Sequence, residues 1–262
     1  MASTQYKVEH IIKALQAIGL QSGDTVGIHI GFHSIGPVVG GPDAFIDAVF
    51  NVIGKNGTLV LPGFCWNYIG DYDHEKTPSE MGVVPERARR RPEFTRSFHP
   101  THSVIVSGPD QDGYLMRHPG AGALRDGGPW HRIAQVGGKI LLAGVDHRSD
   151  SMVHVGEDIS GRVYYRKEKR SATRRAVGPD GIEHQINMTG SPCCSIGFNA
   201  IEQSLRRSGA IIRDGYIGNA QSQLIDATGI IEQTIALLEA DPLALCCIGR
   251  HCRPCALQRE RY

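Results

Sequence analysis

In the first sixty residues, apolar residues at helical spacing alternate with apolar runs of strand length. This alternation constrains the fold more than any other feature of the chain. Apolar residues recur at spacings of three and four between Val8 and Ile18, which predicts the buried face of a helix. Runs of strand length follow at residues 25–30 and 58–61, and Pro42 opens a second amphipathic helix between them. Helix, strand, glycine-rich loop, helix and strand in succession predict an α/β fold.

The middle of the chain continues with strands and one long polar segment. Apolar runs at residues 104–106 and 139–142 predict two more strands, and residues 163–188 predict a β-hairpin that turns at Gly178-Pro-Asp-Gly181. Residues 63–96 are polar and irregular, and we interpret them as a long loop that contributes to the functional site.

The last third of the chain predicts helices. One is expected around His154, one from near Ser195, and one with Thr228 as its N-cap that runs through Leu238. The chain shows no internal repeat and no linker. We therefore expect one domain over residues 1–262, with a cysteine-rich tail at 246–255.

Charge and hydropathy exclude two classes of partner. Lys and Arg number 28 against 27 Asp and Glu, so the 262-residue chain carries a formal charge of +1, which disfavours a general nucleic-acid binder. The basic stretch at residues 162–175 is interpreted as a solvated strand pair. No apolar run approaches the ~18 residues of a membrane span, and the start lacks a signal-peptide pattern, so we expect a cytoplasmic protein that binds no membrane.

Residues 31–41 form a glycine-rich loop between a predicted strand and a predicted helix. Backbone N–H groups at a helix N-terminus favour anions, so this loop is a candidate pyrophosphate site. It matches neither of the common glycine-rich nucleotide motifs, and a tight turn that packs strand against helix remains the alternative.

His154 and Glu157 lie three residues apart in a predicted helix and share one of its faces. A carboxylate that orients an imidazole produces a general base, while a surface ion pair is the alternative. His99 and His102 precede a predicted strand without a metal-ligand spacing that we can complete, and Cys65 is interpreted as a small core residue.

Six of the seven cysteines lie at position 193 or beyond. Cys252 and Cys255 form a CxxC pair close to the chain end, where a redox motif is not expected, so we predict a structural zinc site. Cys246 with either Cys193 or Cys194 would complete the four ligands, since adjacent cysteines seldom both bind one ion. Buried, reduced cysteines without metal are the alternative.

Several short stretches, taken together, resemble the aminoglycoside 3-N-acetyltransferases. They run in family order between about residues 8 and 205 and are specific as a set. The matching stretches are Ser34-Ile-Gly-Pro-Val-Val-Gly-Gly-Pro-Asp43, Gly57-Thr-Leu-Val-Leu-Pro62, Phe98-His-Pro-Thr-His-Ser-Val104, Gly128-Pro-Trp-His131, Gly138-Lys-Ile-Leu-Leu-Ala-Gly-Val145 and His154-Val-Gly-Glu157.

The resemblance implies a three-layer α/β/α fold with a central mixed sheet and transfer of acetyl from acetyl-CoA to an amine. His154 and Glu157 would be catalytic. The implied coenzyme-binding residues are His33, Ser34, Ile35, Gly36, Val38, Val39, Gly40 and Ser103. The implied substrate-binding residues are Trp66, Tyr68, Asp71, Asp73, Glu75 and Asp158. The cysteines resemble the zinc-containing, apramycin-acetylating branch, with Cys193, Cys194, Cys246, Cys252 and Cys255 as candidate ligands and Cys246 in place of a histidine.

One departure concerns the segment after the first strand. The family usually has His-Ser-Ser there, whereas this chain has His29-Ile-Gly31 and then a second histidine and serine at His33 and Ser34. The acceptor amine is therefore left open between an aminoglycoside, as in antibiotic resistance, and a biosynthetic amine. A zinc-stabilised metabolite-binding regulator is the rival function, and the chain is expected to be a monomer or a homodimer.

Overall fold

The computed structural model describes residues 5–68, 70–115, 124–164, 170–190, 193–249 and 252–262. Seven strands form one mixed sheet in the order β4-β5-β2-β1-β6-β10-β9, and three form a smaller sheet in the order β3-β7-β8. The strands are β1 (Thr25–Ile30), β2 (Thr58–Phe64), β3 (Tyr72–Asp73), β4 (Thr95–Arg96), β5 (His102–Ser107), β6 (Lys139–Ala143), β7 (Arg170–Val177), β8 (Glu183–Gly190), β9 (Ile211–Ile217) and β10 (Ala220–Asp226).

Ten α-helices and two short 3₁₀ turns, His147–Ser149 and Phe198–Ile201, connect these strands within the described residues. The helices are α1 (Val8–Ala17), α2 (Phe32–Ile35), α3 (Gly41–Ile53), α4 (Val83–Arg89), α5 (Gln111–Leu115), α6 (Pro129–Gln135), α7 (Ser151–Ser160), α8 (Glu202–Ser208), α9 (Ala227–Ala240) and α10 (Arg253–Arg261). Among the described residues, no helix has the length and apolar character needed to cross a membrane.

The centre of the large sheet is parallel and its flanks are antiparallel. β1 pairs in parallel with β2 on one side and with β6 on the other. β5 is antiparallel to β2, and β10 is antiparallel to β6. Ligand sites form at the carboxyl ends of such parallel strands, and the ends of β1, β2 and β6 lead into the functional residues described below.

Helices cover both faces of the large sheet, each over its own apolar core. One core contains Ile11 of α1, Phe45 of α3 and Val84 of α4. The other contains Trp130 of α6, Met152 of α7 and Ile230 of α9. The predicted three-layer α/β/α architecture with a central mixed sheet is confirmed.

The small sheet contains the predicted hairpin, with β7 and β8 antiparallel and β3 added in parallel to β7. Arg96 ties β4 to the segment that contains β3, because its buried guanidinium donates to the Ser103 hydroxyl at 2.8 Å and to the Gly63 and Thr77 carbonyl oxygens at 2.9 and 2.6 Å. It also lies over the Tyr72 ring, 5.1 Å from the centroid.

Several sequence-based expectations were wrong in detail. Asp226, not Thr228, caps α9, since its carboxylate accepts the Gly229 N–H at 2.6 Å. The helix expected near Ser195 begins at Glu202, after a 3₁₀ turn.

The predicted loops also contain regular structure. The glycine-rich loop holds the single turn α2, and the polar segment 63–96 holds β3, α4 and β4. The antiparallel pair β9 and β10 and the terminal helix α10 were not predicted at all, because these segments are rich in polar residues and their few apolar residues do not sustain a strand or helix period.

Candidate active site

Helix α7 begins beside the carboxyl end of β1 and carries the two predicted catalytic residues. Asp150 caps the helix, because its carboxylate accepts the Met152 N–H at 3.0 Å. Gly156 allows α7 to pack closely on α9: a Cβ added there would lie 2.5 Å from the Thr234 Cβ. These two contacts fix the position of the helix and hence of the side chains it presents to the site.

The imidazole of His154 and the carboxylate of Glu157 are hydrogen bonded inside the protein. His154 Nδ1 lies 2.6 Å from Glu157 Oε2, and the two residues are 7% and 1% exposed. The Phe198 ring meets the His154 ring edge-on, with centroids 4.7 Å apart. The alternative of a solvated surface pair is therefore wrong, and the carboxylate and the phenyl ring together fix the imidazole.

Electrostatics make His154 an unusually basic imidazole. Burial lowers its pKa, but the Glu157 carboxylate and a hydrogen bond with the Cys193 thiol outweigh the burial and raise the pKa to about 9. Once deprotonated, such a group has a high affinity for a proton. It is suited to remove one from an amine that enters the site.

His154 opens on a cavity of about 600 Å³, which we call the histidine cavity. Its walls are mainly apolar and aromatic, with Phe64, Trp66 and Met81 among them, and they include two further imidazoles, His29 and His102. Cys193 and Ser195 line the same space from the segment before α8.

A second cavity of about 870 Å³ lies beside the first, and we call it the polar cavity. Val145, Arg148 and Ser149 line both cavities, so the two spaces meet at the end of β6. The walls of the polar cavity carry two carboxylates and four side-chain amides: Asp146, Glu202, Asn199, Asn219, Gln221 and Gln223.

His147 lines the polar cavity and contacts Asp150, the cap of α7. Its Nε2 is 2.8 Å from Glu202 and its Nδ1 is 3.3 Å from Asp150. Burial lowers the pKa of His147, but these two carboxylates reverse the effect and raise it above its ordinary value. This charged contact anchors Glu202 at the wall of the polar cavity.

The predicted coenzyme residues lie in different environments. Ser34 lines the polar cavity, whereas Ile35 is fully buried in the core. Ser103 is also fully buried: its hydroxyl accepts from Arg96 and donates to the Gly63 carbonyl oxygen at 2.7 Å. Ser103 therefore stabilises the sheet, and no part of it is exposed to contact a ligand.

The remaining predicted coenzyme residues lie at or near the surface of the loop. Val39 and Gly40 are exposed just before α3, and His33 is exposed on α2. Gly36 and Val38 are half-buried. The Val39 N–H donates to the Tyr6 carbonyl oxygen at 2.8 Å, so the N-terminal segment packs against the loop and uses one of its backbone donors.

Of the predicted substrate residues, only Trp66 lines one of these two cavities. Asp71 is ion-paired with Arg175 on the outside of the small sheet, and Asp73 is ion-paired with Lys76 at 3.0 Å. Asp158 accepts the Asp126 N–H at 3.1 Å. Tyr68 and Glu75 are exposed outside the walls of both cavities.

Four cysteine thiols form a compact group beside α10. The Sγ atoms of Cys194, Cys247, Cys252 and Cys255 all lie within 4.8 Å of one another. Cys247 occupies the place predicted for Cys246, and of the adjacent pair 193 and 194 only Cys194 joins the group. Four clustered thiols are the donor set of a closed, structural zinc site, so the residues fit that ion.

Sequence reasoning gave no role to His29 and, apart from Ser34, did not single out the residues of the polar cavity. His29 entered only as the place where the chain departs from the family's His-Ser-Ser pattern, and its position near the carboxyl end of a parallel strand was a second signal. The polar cavity is lined by the segment that follows β6, by β10 and the turn before it, and by residues at and before the start of α8, which are far apart along the chain. Only the fold brings them together.

Comparison with known proteins identifies the family of the chain. The profile described as aminoglycoside 3-N-acetyltransferase matches residues 28–239. Aminoglycoside N(3)-acetyltransferase VIII of Streptomyces fradiae is 27% identical over 88% of this chain and 91% of its own length.

Two solved enzymes share the fold. Aminoglycoside acetyltransferase AAC(3)-IVa superposes with a TM-score of 0.84 at 23% identity over 100% of this chain and 99% of its own, and a mutant of that enzyme has been solved with apramycin. AAC-IIIb, solved as a binary complex with CoASH, superposes with a TM-score of 0.80 at 22% identity over 90% and 97% of the two chains. The chain belongs to the aminoglycoside 3-N-acetyltransferase family.

Proposed function

We propose that this protein transfers the acetyl group of acetyl-CoA to an amino group of an aminoglycoside or a related small cationic amine. The observation that carries the proposal is the buried His154–Glu157 pair at the wall of the histidine cavity. A fixed, strongly basic imidazole beside an enclosed apolar space is what deprotonation of an attacking amine requires.

The reaction is a direct transfer. Glu157 holds the Nδ1 side of His154. The acceptor amine would give its proton to Nε2, in place of the hydrogen bond that His154 makes with the Cys193 thiol. The amine nitrogen bonds to the thioester carbon, and the carbonyl oxygen becomes an oxyanion. Collapse of this intermediate breaks the carbon–sulfur bond and releases the coenzyme thiolate, which His154 can reprotonate. No acyl-enzyme is needed.

The two cavities suit the two substrates. The acetyl-pantetheine arm matches the histidine cavity, where apolar walls surround His154. A polyhydroxylated amine matches the polar cavity, since side-chain amides and carboxylates can pair with both ammonium and hydroxyl groups. The two carboxylates are also ion-paired within the protein, Asp146 with Arg148 and Glu202 with Arg206, and these pairs hold their oxygens at the cavity wall. The shared wall at Val145, Arg148 and Ser149 is where the amine would reach the thioester.

The coenzyme pyrophosphate is assigned to the exposed part of the glycine-rich loop. Val39 and Gly40 precede α3, a helix of 13 residues whose N-terminal N–H groups favour an anion. Exposed His33 stands nearby in the same loop and would add a donor. Protection of the Gly40 and Asp43 amides from hydrogen exchange by acetyl-CoA tests this assignment, and protection confined to other segments would refute it.

A zinc ion held by Cys194, Cys247, Cys252 and Cys255 would be structural. Burial raises the pKa of Cys194 to about 11, so that thiol stays protonated unless a cation holds it as the thiolate. The site would anchor α10, which also docks through Gln258: its side chain accepts the Tyr164 N–H at 2.6 Å and donates to the Pro242 carbonyl oxygen at 2.8 Å. This anchoring supports a single domain over residues 1–262.

A thiol-release assay with acetyl-CoA and a panel of aminoglycosides and polyamines tests the function. Release of coenzyme A that depends on both the amine and His154 is the expected result. Mass spectrometry of the product should show one added acetyl group per turnover. Coenzyme binding without amine-dependent thiol release from any acceptor would instead support a metabolite-binding regulator.

A further inference from the structure

His29 lies at the wall of the histidine cavity in a rigid setting. It is the fifth residue of β1 and is 6% exposed. Its ring stacks on Trp130 with centroids 4.7 Å apart and an angle of 14° between the planes. His154 lines the same cavity from α7, so two buried imidazoles face one enclosed space.

A hydrogen bond from the first turn of α7 determines which nitrogen of His29 carries the proton. The Ser151 N–H donates to His29 Nε2 at 3.2 Å, so Nε2 is the acceptor and Nδ1 bears the hydrogen. Across the described residues, Nδ1 has no hydrogen-bond partner. It is also not among the polar atoms that are fully enclosed without a partner, so this N–H has access to the cavity.

The two imidazoles differ in the direction of their pKa shifts. Burial lowers the pKa of His29 to about 4, with only a partial opposing effect from Asp150. His154, which has a carboxylate partner, shifts in the opposite direction. His29 therefore remains a neutral donor at the pH at which His154 exchanges its proton.

We propose that His29 is a second catalytic residue, whose Nδ1–H donates to the thioester oxygen as the tetrahedral oxyanion forms. This inference rests on the proposed acetyl transfer. The amine nitrogen–carbon bond forms, the carbonyl π electrons move to oxygen, and the His29 N–H stabilises that charge. The intermediate collapses when an oxygen lone pair re-forms the carbonyl and the carbon–sulfur bond breaks. His29 keeps its proton throughout the reaction.

A neutral imidazole suits this position better than a charged one. It requires no counterion in the buried site and costs little reorganisation, because the Trp130 stack and the Ser151 hydrogen bond already fix it. Preorganised donors of this kind are typically worth ~10²–10³ in kcat.

The test compares His29→Phe with His29→Asn. Phenylalanine keeps an aromatic ring to stack on Trp130 but has no donor, whereas the asparagine amide places an N–H near the position of Nδ1. We expect His29→Phe to lower kcat by ~10²-fold or more at a nearly unchanged KM for acetyl-CoA. His29→Asn should recover at least tenfold of that loss.

A vibrational measurement separates catalysis from structure. The ¹³C-edited carbonyl stretch of bound [1-¹³C]acetyl-CoA should lie lower in wild type than in His29→Phe, because a hydrogen bond weakens the carbonyl bond. Calorimetric titration with coenzyme A and the melting temperature establish that each variant is folded and binds.

A folded His29→Phe variant with kcat within threefold of wild type, or with an unchanged carbonyl stretch, would overturn the inference. Wild-type protein that binds acetyl-CoA but acetylates no amine would instead count against the proposed function.

Discussion

Glu157 lies one helical turn after His154 on α7, and its Oε2 is 2.6 Å from the Nδ1 of that histidine. Because both side chains are buried, solvent competes little for this hydrogen bond. The contact determines the orientation, the reactive nitrogen and the basicity of His154 together, and the first two predictions follow from it.

Removal of the His154 imidazole should slow acetyl transfer without weakening the binding of coenzyme A. For His154→Ala we expect turnover to fall by ~100-fold or more, since a positioned general base contributes about that factor. The dissociation constant for coenzyme A, measured by calorimetry, should change by less than about threefold. Turnover close to wild type would remove His154 from the mechanism.

The raised pKa of His154 predicts the pH profile. Only the neutral imidazole accepts a proton, so kcat/KM should rise with pH through neutrality and level off near the pKa of about 9. Glu157→Gln removes the carboxylate that raises this pKa, so the midpoint should move to lower pH. An unchanged midpoint in Glu157→Gln would show that another group controls the profile.

The same shift has a stability consequence with a defined sign. The folded pKa of His154 lies above the ordinary histidine value of 6.5, so protonation favours the folded state. This contribution is fully present below pH 6.5 and is lost as pH rises towards 9. Urea unfolding of wild type and His154→Ala across this range should show the difference shrinking with pH.

Carboxylates in the polar cavity, and not those of the polar loop, should recognise the acceptor. Glu202→Gln should raise the KM of the amine severalfold and leave the KM of acetyl-CoA nearly unchanged. Asp71→Asn is the matched control and should have little effect, because Asp71 pairs with Arg175 away from both cavities. The amine KM should also rise with ionic strength, and a salt-independent KM would argue against a cationic acceptor.

Metal analysis of protein purified without a histidine tag should find about one zinc ion per chain. Cys252→Ala should lose the metal and lower the melting temperature, because the site holds α10 to the rest of the chain. Cys246→Ala and Cys193→Ala should retain zinc, since neither thiol belongs to the four-sulfur group. Folded, active protein without zinc would refute the site.

Arg96 should matter for stability far more than surface arginines do. Arg96→Met removes three buried hydrogen bonds of a charged donor and leaves the Thr77 carbonyl oxygen without that donor, although Gly63 keeps the Ser103 hydroxyl; the change should cost about 3 kcal/mol of unfolding free energy. Arg87→Met breaks only the half-exposed pair with Asp43 and should cost at most about 1 kcal/mol. Urea unfolding of both variants measures the contrast.

Local sequence determined the elements with strong periodicity and the residues that act within one element. The helix that begins at Val8, the strands from Thr25 and Thr58, and the hairpin with its Gly178–Gly181 turn follow from apolar spacing and turn chemistry, which need no tertiary context. His154 and Glu157 belong here too, because residues three apart on one helix are neighbours in any fold.

Tertiary structure decided everything that depends on distant segments meeting. It buried the His154–Glu157 pair and placed His29 of β1 at the wall of the histidine cavity. It assembled the polar cavity from the segment after β6, from β10 with the turn before it, and from the start of α8. It also selected Cys247 over the adjacent Cys246, and left Asp71 and Asp73 outside both cavities. Which of two adjacent side chains points inward, and whether a carboxylate meets a ligand or an arginine, depends on packing between elements that local sequence does not encode.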